Sequence, residues 1–73
     1  MKTITATALN VAEGDRLLIG GRLEVTVTSV APFLTPETHR FGPGLLEIGT
    51  KAEGEPLVYI YPEPLKPLTF IIG

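Results

Sequence analysis

His39-Arg40-Phe41 sets the single imidazole of this chain beside a guanidinium and an aromatic ring. Together they can grip an anionic or planar group through charge and ring contact. The plainer alternative is that Phe41 tucks beneath its loop while His39 and Arg40 stay in water, since a lone His without a Cys, Ser or acidic partner lacks the orienting group a site needs. Tyr59 and Tyr61 are two residues apart, so on a strand they point to one side and Val58 and Ile60 to the other. With Val58 and Ile60 in the core, the tyrosines and Leu57 form an outward strip that can anchor a protein interface or stack nucleic-acid bases. The alternative is one Tyr half-buried at the rim of the fold, its hydroxyl bonded to backbone.

Other reactive residues stand apart. Asp15, Glu24, Glu37, Glu47, Glu53, Glu55 and Glu63 fall on polar faces or in turns, and no pair is placed for acid and base work. Ser29 and His39 lack a nucleophile elbow and a third orienting group, so no hydrolase is expected and no enzyme at all. With no cysteine and one His, a structural zinc site lacks its usual ligands, and neither a metal nor a cofactor is expected. Pro64-Leu65-Lys66-Pro67 matches a minimal proline-ligand pattern, but its place between two strands makes it first a spacer.

The elements that must position these residues are strands. Glu13-Gly14-Asp15 is a turn, Arg16 to Ile19 a short strand, Gly20-Gly21 a two-residue type I′ turn, and Leu23 to Val30 a long strand. The glycines suit that turn because both of its central positions need positive φ. Leu23, Val25 and Val27 alternate with Glu24, Thr26 and Thr28 at the period of a half-buried strand. Thr3 to Leu9 reads as a thin edge strand. Ala31 to Pro43, with three prolines, reads as a long loop. Leu45 to Thr50 and Pro56 to Tyr61 form a second hairpin around Lys51–Glu55, with Gly54 supplying the left-handed turn residue. Pro62 to Pro67 is a proline-rich turn before a closing strand, Leu68 to Ile72. The expected interior is Leu18 or Ile19, Leu23, Val25, Val27, Leu46, Ile48, Val58, Ile60, Phe70 and Ile72. Alternation alone leaves open which of Leu17 and Leu18 points inward.

Residues 1–73 make one domain, at a size where folding buries only roughly 60% of the unfolded chain's surface. Eight acidic and six basic residues are interspersed, for a net charge of −2, so no polybasic field draws phosphates. Nucleic-acid binding is disfavoured on that ground. No apolar run nears the ~20 residues of a membrane span, and the amino terminus lacks a signal-peptide core. A soluble, cytoplasmic protein is expected.

Five or six short strands bury their apolar faces best by curling into a small barrel. The expected fold is therefore all-β, a five- or six-stranded antiparallel barrel. The run from Glu13 to Val30 resembles the start of small Src-homology-3-like (SH3-like) barrels, including those found as short proteins of bacteria and their phages. In those barrels a short helical turn commonly precedes the last strand, where Tyr61-Pro62-Glu63-Pro64 stands here. Two relatives of that barrel fit less well: the groove tryptophan of signalling Src-homology-3 domains is missing, and so are the basic residues that follow the opening of the KOW motif, which Gly14–Gly21 is similar to. The expected function is a non-enzymatic protein-binding module with Arg40, Phe41, Tyr59 and Tyr61 as its contact residues. A small phage-encoded regulator of a larger host enzyme such as RNA polymerase is one form of it. The alternatives are a single-stranded nucleic-acid barrel using the tyrosines with Arg16, Arg22 and Arg40, and a structural subunit assembling through the amino-terminal strand.

Overall fold

A computed structural model describes residues 1–34 and 44–73. Within them the chain forms β1 (Thr3–Thr7), a 3-10 turn (Ala8–Asn10), β2 (Arg16–Ile19), β3 (Leu23–Phe33), β4 (Leu45–Lys51), β5 (Val58–Ile60) and β6 (Pro67–Ile71). All pairings are antiparallel, in one six-stranded sheet of order β1-β6-β2-β3-β4-β5. The all-β expectation holds with six strands. Closure does not follow: β1 and β5 lie at opposite ends of the order with no ladder between them. Among the described residues no helix is long and apolar enough to cross a membrane.

The first hairpin turns where the glycines stand. Gly20 and Gly21 have φ of 61° and 72°, a region that a Cβ makes costly, and Arg22 N donates to Ile19 O at 3.2 Å. Ladder pairing resumes at Ile19 with Leu23, so three residues rather than two separate the strands. In the second hairpin Gly54 has φ of 78°, and Lys51 Nζ donates to the Ala52 and Glu55 carbonyls.

The expected long loop begins two residues later than its first proline. β3 runs on through Ala31, Pro32 and Phe33, which pair with Glu47, Leu46 and Leu45. Leu46 N donates to Pro62 O, so the even residues of β4 direct their backbone groups toward β5 and the odd ones toward β3. Pro32, opposite Leu46, therefore turns its missing donor away from β4, on a stretch of β3 that β2 is too short to reach. A proline costs nothing in that ladder.

The register decides the core. Leu17 pairs with both Val25 and Phe70, and all three are buried, which settles the choice between Leu17 and Leu18 for Leu17. They join Val11, Val27, Ile48 and Ala52, with Ala6, Ile19, Leu46, Ile60 and Leu68 packed around them. Leu23, Val58 and Ile72, expected inside, are 49%, 52% and 52% exposed. Leu23 and Val58 line an apolar cleft of about 250 Å³ that the two hairpins leave open, so they face inward without being covered. Ala8, Val11 and Ala52 complete the core from turns, where alternation gives no signal.

The strand bounds also move. β1 stops at Thr7, where Ala8 N and Leu9 N leave the ladder to bond Lys66 O and Pro64 O. β5 keeps only Val58–Ile60 of the expected Pro56 to Tyr61. Leu17→Ala is expected to cost about 2–5 kcal/mol in denaturant unfolding, the usual range for a fully buried leucine, and Leu18→Ala well under half of that.

Candidate functional site

Two consecutive polar residues break the alternation of β3. Val27 pairs with Thr50 and Ser29 with Gly49, so Thr28 is an extra residue, a β-bulge. The bulge reverses the facing of the strand: Val25 and Val27 point inward before it, and Val30 and Pro32 take that side after it. Ala31 and Phe33 are thereby turned to the outer face. The geometry of Gly49 fits this. A Cβ there would lie 2.6 Å from both the Thr28 and Ser29 hydroxyl oxygens and 3.3 Å from the Tyr59 ring. Both bulge side chains thus occupy the space over one glycine, and Tyr59 covers its other side.

Across β3, β4 and β5 the outer face carries Phe33, Glu47 and Tyr59, with Tyr61 just beyond β5. The rings of Phe33 and Tyr61 are tilted at 59° with centroids 4.9 Å apart, an arrangement that satisfies the ring quadrupoles. Tyr61 Oη donates to Glu47 Oε1 at 3.0 Å. That bond raises the Tyr61 pKa above the ordinary tyrosine value, because ionising the phenol forfeits its proton and sets two negative charges side by side. Partial desolvation adds in the same direction. Tyr59 and Tyr61 remain close to half exposed, and Leu34 and Leu57 are exposed nearby in sequence. The pairing of Tyr59 and Tyr61 on an outward face, read from their spacing, is what the fold presents, and among the described residues neither hydroxyl bonds to backbone.

Phe33 is the residue that sequence reasoning missed. Pro32 before it makes it read as loop, and its signal is the doubled Thr28-Ser29, which marks a change of facing. Arg40 and Phe41, expected to share the contact, lie outside the described residues, as does His39. Of the cations proposed for a nucleic-acid surface, Arg16 is held by Glu24 at 3.5 Å, and the charged group bonded to the aromatic cluster among the described residues is the Glu47 carboxylate. Among the described residues no group of three or more His, Cys, Asp or Glu stands close enough to hold a metal ion.

A second concavity is an open groove where β2 and β6 diverge. Their ladder holds only at Arg16 with Ile71 and Leu17 with Phe70, and beyond it Leu18, Leu65, Lys66 and Leu68 line the gap. Comparison with known protein families, with curated proteins and with solved structures finds no match to this chain.

Two outcomes test this geometry. Gly49→Ala is expected to destabilise the fold by roughly 1–3 kcal/mol through overpacking, with much of the loss recovered in a Thr28→Ala, Ser29→Ala background, which a double-mutant cycle measures. In a Tyr59→Phe background the phenolate absorbance of Tyr61 should appear at lower pH once Glu47→Gln removes the charge beside it. An unchanged titration would show that the Glu47 contact does not govern that hydroxyl.

Proposed function

We propose that this chain is a small non-enzymatic protein-binding module whose contact surface is the outer face of β3, β4 and β5. One observation carries the reading: three rings, Phe33, Tyr59 and Tyr61, stand on the face opposite the core, where they add nothing to the packing of the interior. Partly exposed aromatics in a fixed arrangement offer a partner large area at low cost in side-chain entropy. The Glu47 bond holds Tyr61 in place before any partner arrives. A strand-borne patch is also stiffer than a loop, which suits a surface that must match another.

The Src-homology-3-like barrel belongs to the same proposal. Its support is the strand order, with the last strand inserted between the first and second, and the bulged β3, which pairs β2 with one half and β4 with the other. That division is how a single sheet bends back on itself. Glu47 bonded to Tyr61 and the Arg16–Glu24 pair weigh against the nucleic-acid alternative, since phosphates would meet a carboxylate beside the stacking surface.

The test is an affinity capture of the tagged chain from its native cells, with and without nuclease, run beside a Tyr59→Ser, Tyr61→Ser variant. A stoichiometric protein that survives nuclease and is lost with the double substitution is the expected result. Recovery that depends on nucleic acid, or that ignores the tyrosines, would overturn the assignment.

A further inference from the structure

The sheet ends in β1, and the backbone groups on its open side can be assigned. Lys2 O accepts from Ile72 N at 2.8 Å and Ala8 N donates to Lys66 O at 2.9 Å. Residues 2 and 8 therefore face β6, and so do Ile4 and Ala6 between them, because an antiparallel strand alternates the side to which it offers N–H and C=O. Thr3, Thr5 and Thr7 direct theirs outward. At Thr7 the carbonyl and hydroxyl oxygens both accept from Asn10 Nδ2, at 3.4 and 2.9 Å, which closes that end of the edge. Among the described residues Thr3 and Thr5 remain without a partner on that side, with two donors and two acceptors, and the Thr7 N–H lies beside them.

Nothing within the strand blunts this edge. All five residues of β1 pair with β6 in unbroken register, without bulge, proline or charge. The other end of the sheet differs, since β5 has three residues and is bracketed by Pro56 and Pro62. Beside the open edge, Ile4 is 49% exposed although its ladder partner Phe70 is buried, and Ile72 is exposed as well. The apolar inner face thus runs past the core and stops at the edge uncovered.

We propose that a second copy of this chain completes the sheet at β1, antiparallel about a two-fold axis that passes between the two Ile4 residues. Thr3 of each copy exchanges both backbone hydrogen bonds with Thr5 of the other, which makes four bonds and leaves the Asn10 closure intact. Ile4 meets its own counterpart as a non-hydrogen-bonded pair, the position of closest side-chain approach. Shifting the register by one step, to Thr5 on Thr5, would set Thr3 N–H against Thr7 O in competition with the Asn10 amide that already donates there. Charge permits the contact: two chains of net charge −2 meet at a seam with no acid between residues 3 and 7. The pairing is isologous and consumes both β1 edges, so it stops at two.

Light scattering over a wide concentration range should show the mass rising from one chain to two and no further. The chain has no cysteine, so single cysteines report the register without background. Under mild oxidation Ile4→Cys should form the covalent dimer an order of magnitude faster than a control at exposed Leu65. Thr3→Cys and Thr5→Cys should each form no disulfide alone and cross-link when mixed, because only opposed positions fall within disulfide reach. Ile4→Lys should abolish the dimer with circular dichroism unchanged. A mass of one chain at every concentration, a mass that climbs past two, or cross-linking of Ile4→Cys no faster than the control would overturn the proposal. The Thr3 and Thr5 pair keeps the test decisive should either Ile4 variant fold poorly.

Discussion

Two hydroxyl side chains share the space above one residue that has none. Thr28 and Ser29 both lie over Gly49, and this crowding is where β3 gains its extra residue. Without the bulge, the alternation that buries Val25 and Val27 would carry Ser29, Ala31 and Phe33 onto the core side. With it, Val30 and Pro32 continue the inner face and Phe33 emerges beside Tyr61. One inserted residue thus makes the interior continuous and sets the ring cluster outside it. A side chain at position 49 would have to displace both hydroxyls, and the Tyr59 ring takes up the area that the glycine leaves bare.

The polar chemistry of the outer face follows from that placement. Glu47 stands two residues along from Gly49 on the same side of β4, within reach of the Tyr61 hydroxyl. A carboxylate that accepts from a phenol fixes the ring and discourages its ionisation. The face therefore reads as preorganised apolar area with one anchored negative charge. The inner face has the opposite character, apolar and closed around Leu17, Val27 and Ile48, but open toward the hairpin tips at Leu23 and Val58.

Much of this was legible before the structure. The glycine pair announced the first hairpin, and the two-residue periods of Leu23–Val27 and Val58–Tyr61 gave the facing of the residues they cover. What escaped was the non-local part. Leu17 could not be told from Leu18, because both are leucines and only pairing with Val25 and Phe70 decides which is inside. Val58 was placed inside from its facing alone, yet facing inward and being covered are different things, and the cover depends on how far the opposite hairpin reaches. Pro32 looked like a strand breaker because a proline's harm depends on which neighbour its nitrogen faces. Arg40 and Phe41 rest on spacing alone.

The position of β6 has a consequence for how the molecule is made. β2 through β5 pair with their sequence neighbours, so that meander forms from local contacts as the chain emerges. β1 has a different fate: its ladder is with residues 67–71, sixty or more positions downstream. Until that last strand is synthesised, β1 has nothing to pair with, and β2 lacks the neighbour that holds Leu17 against Phe70. Such distant pairing carries a large loop-closure cost and slows folding. The native sheet is therefore completed only once β6 has been synthesised, and β1 waits without that partner until then.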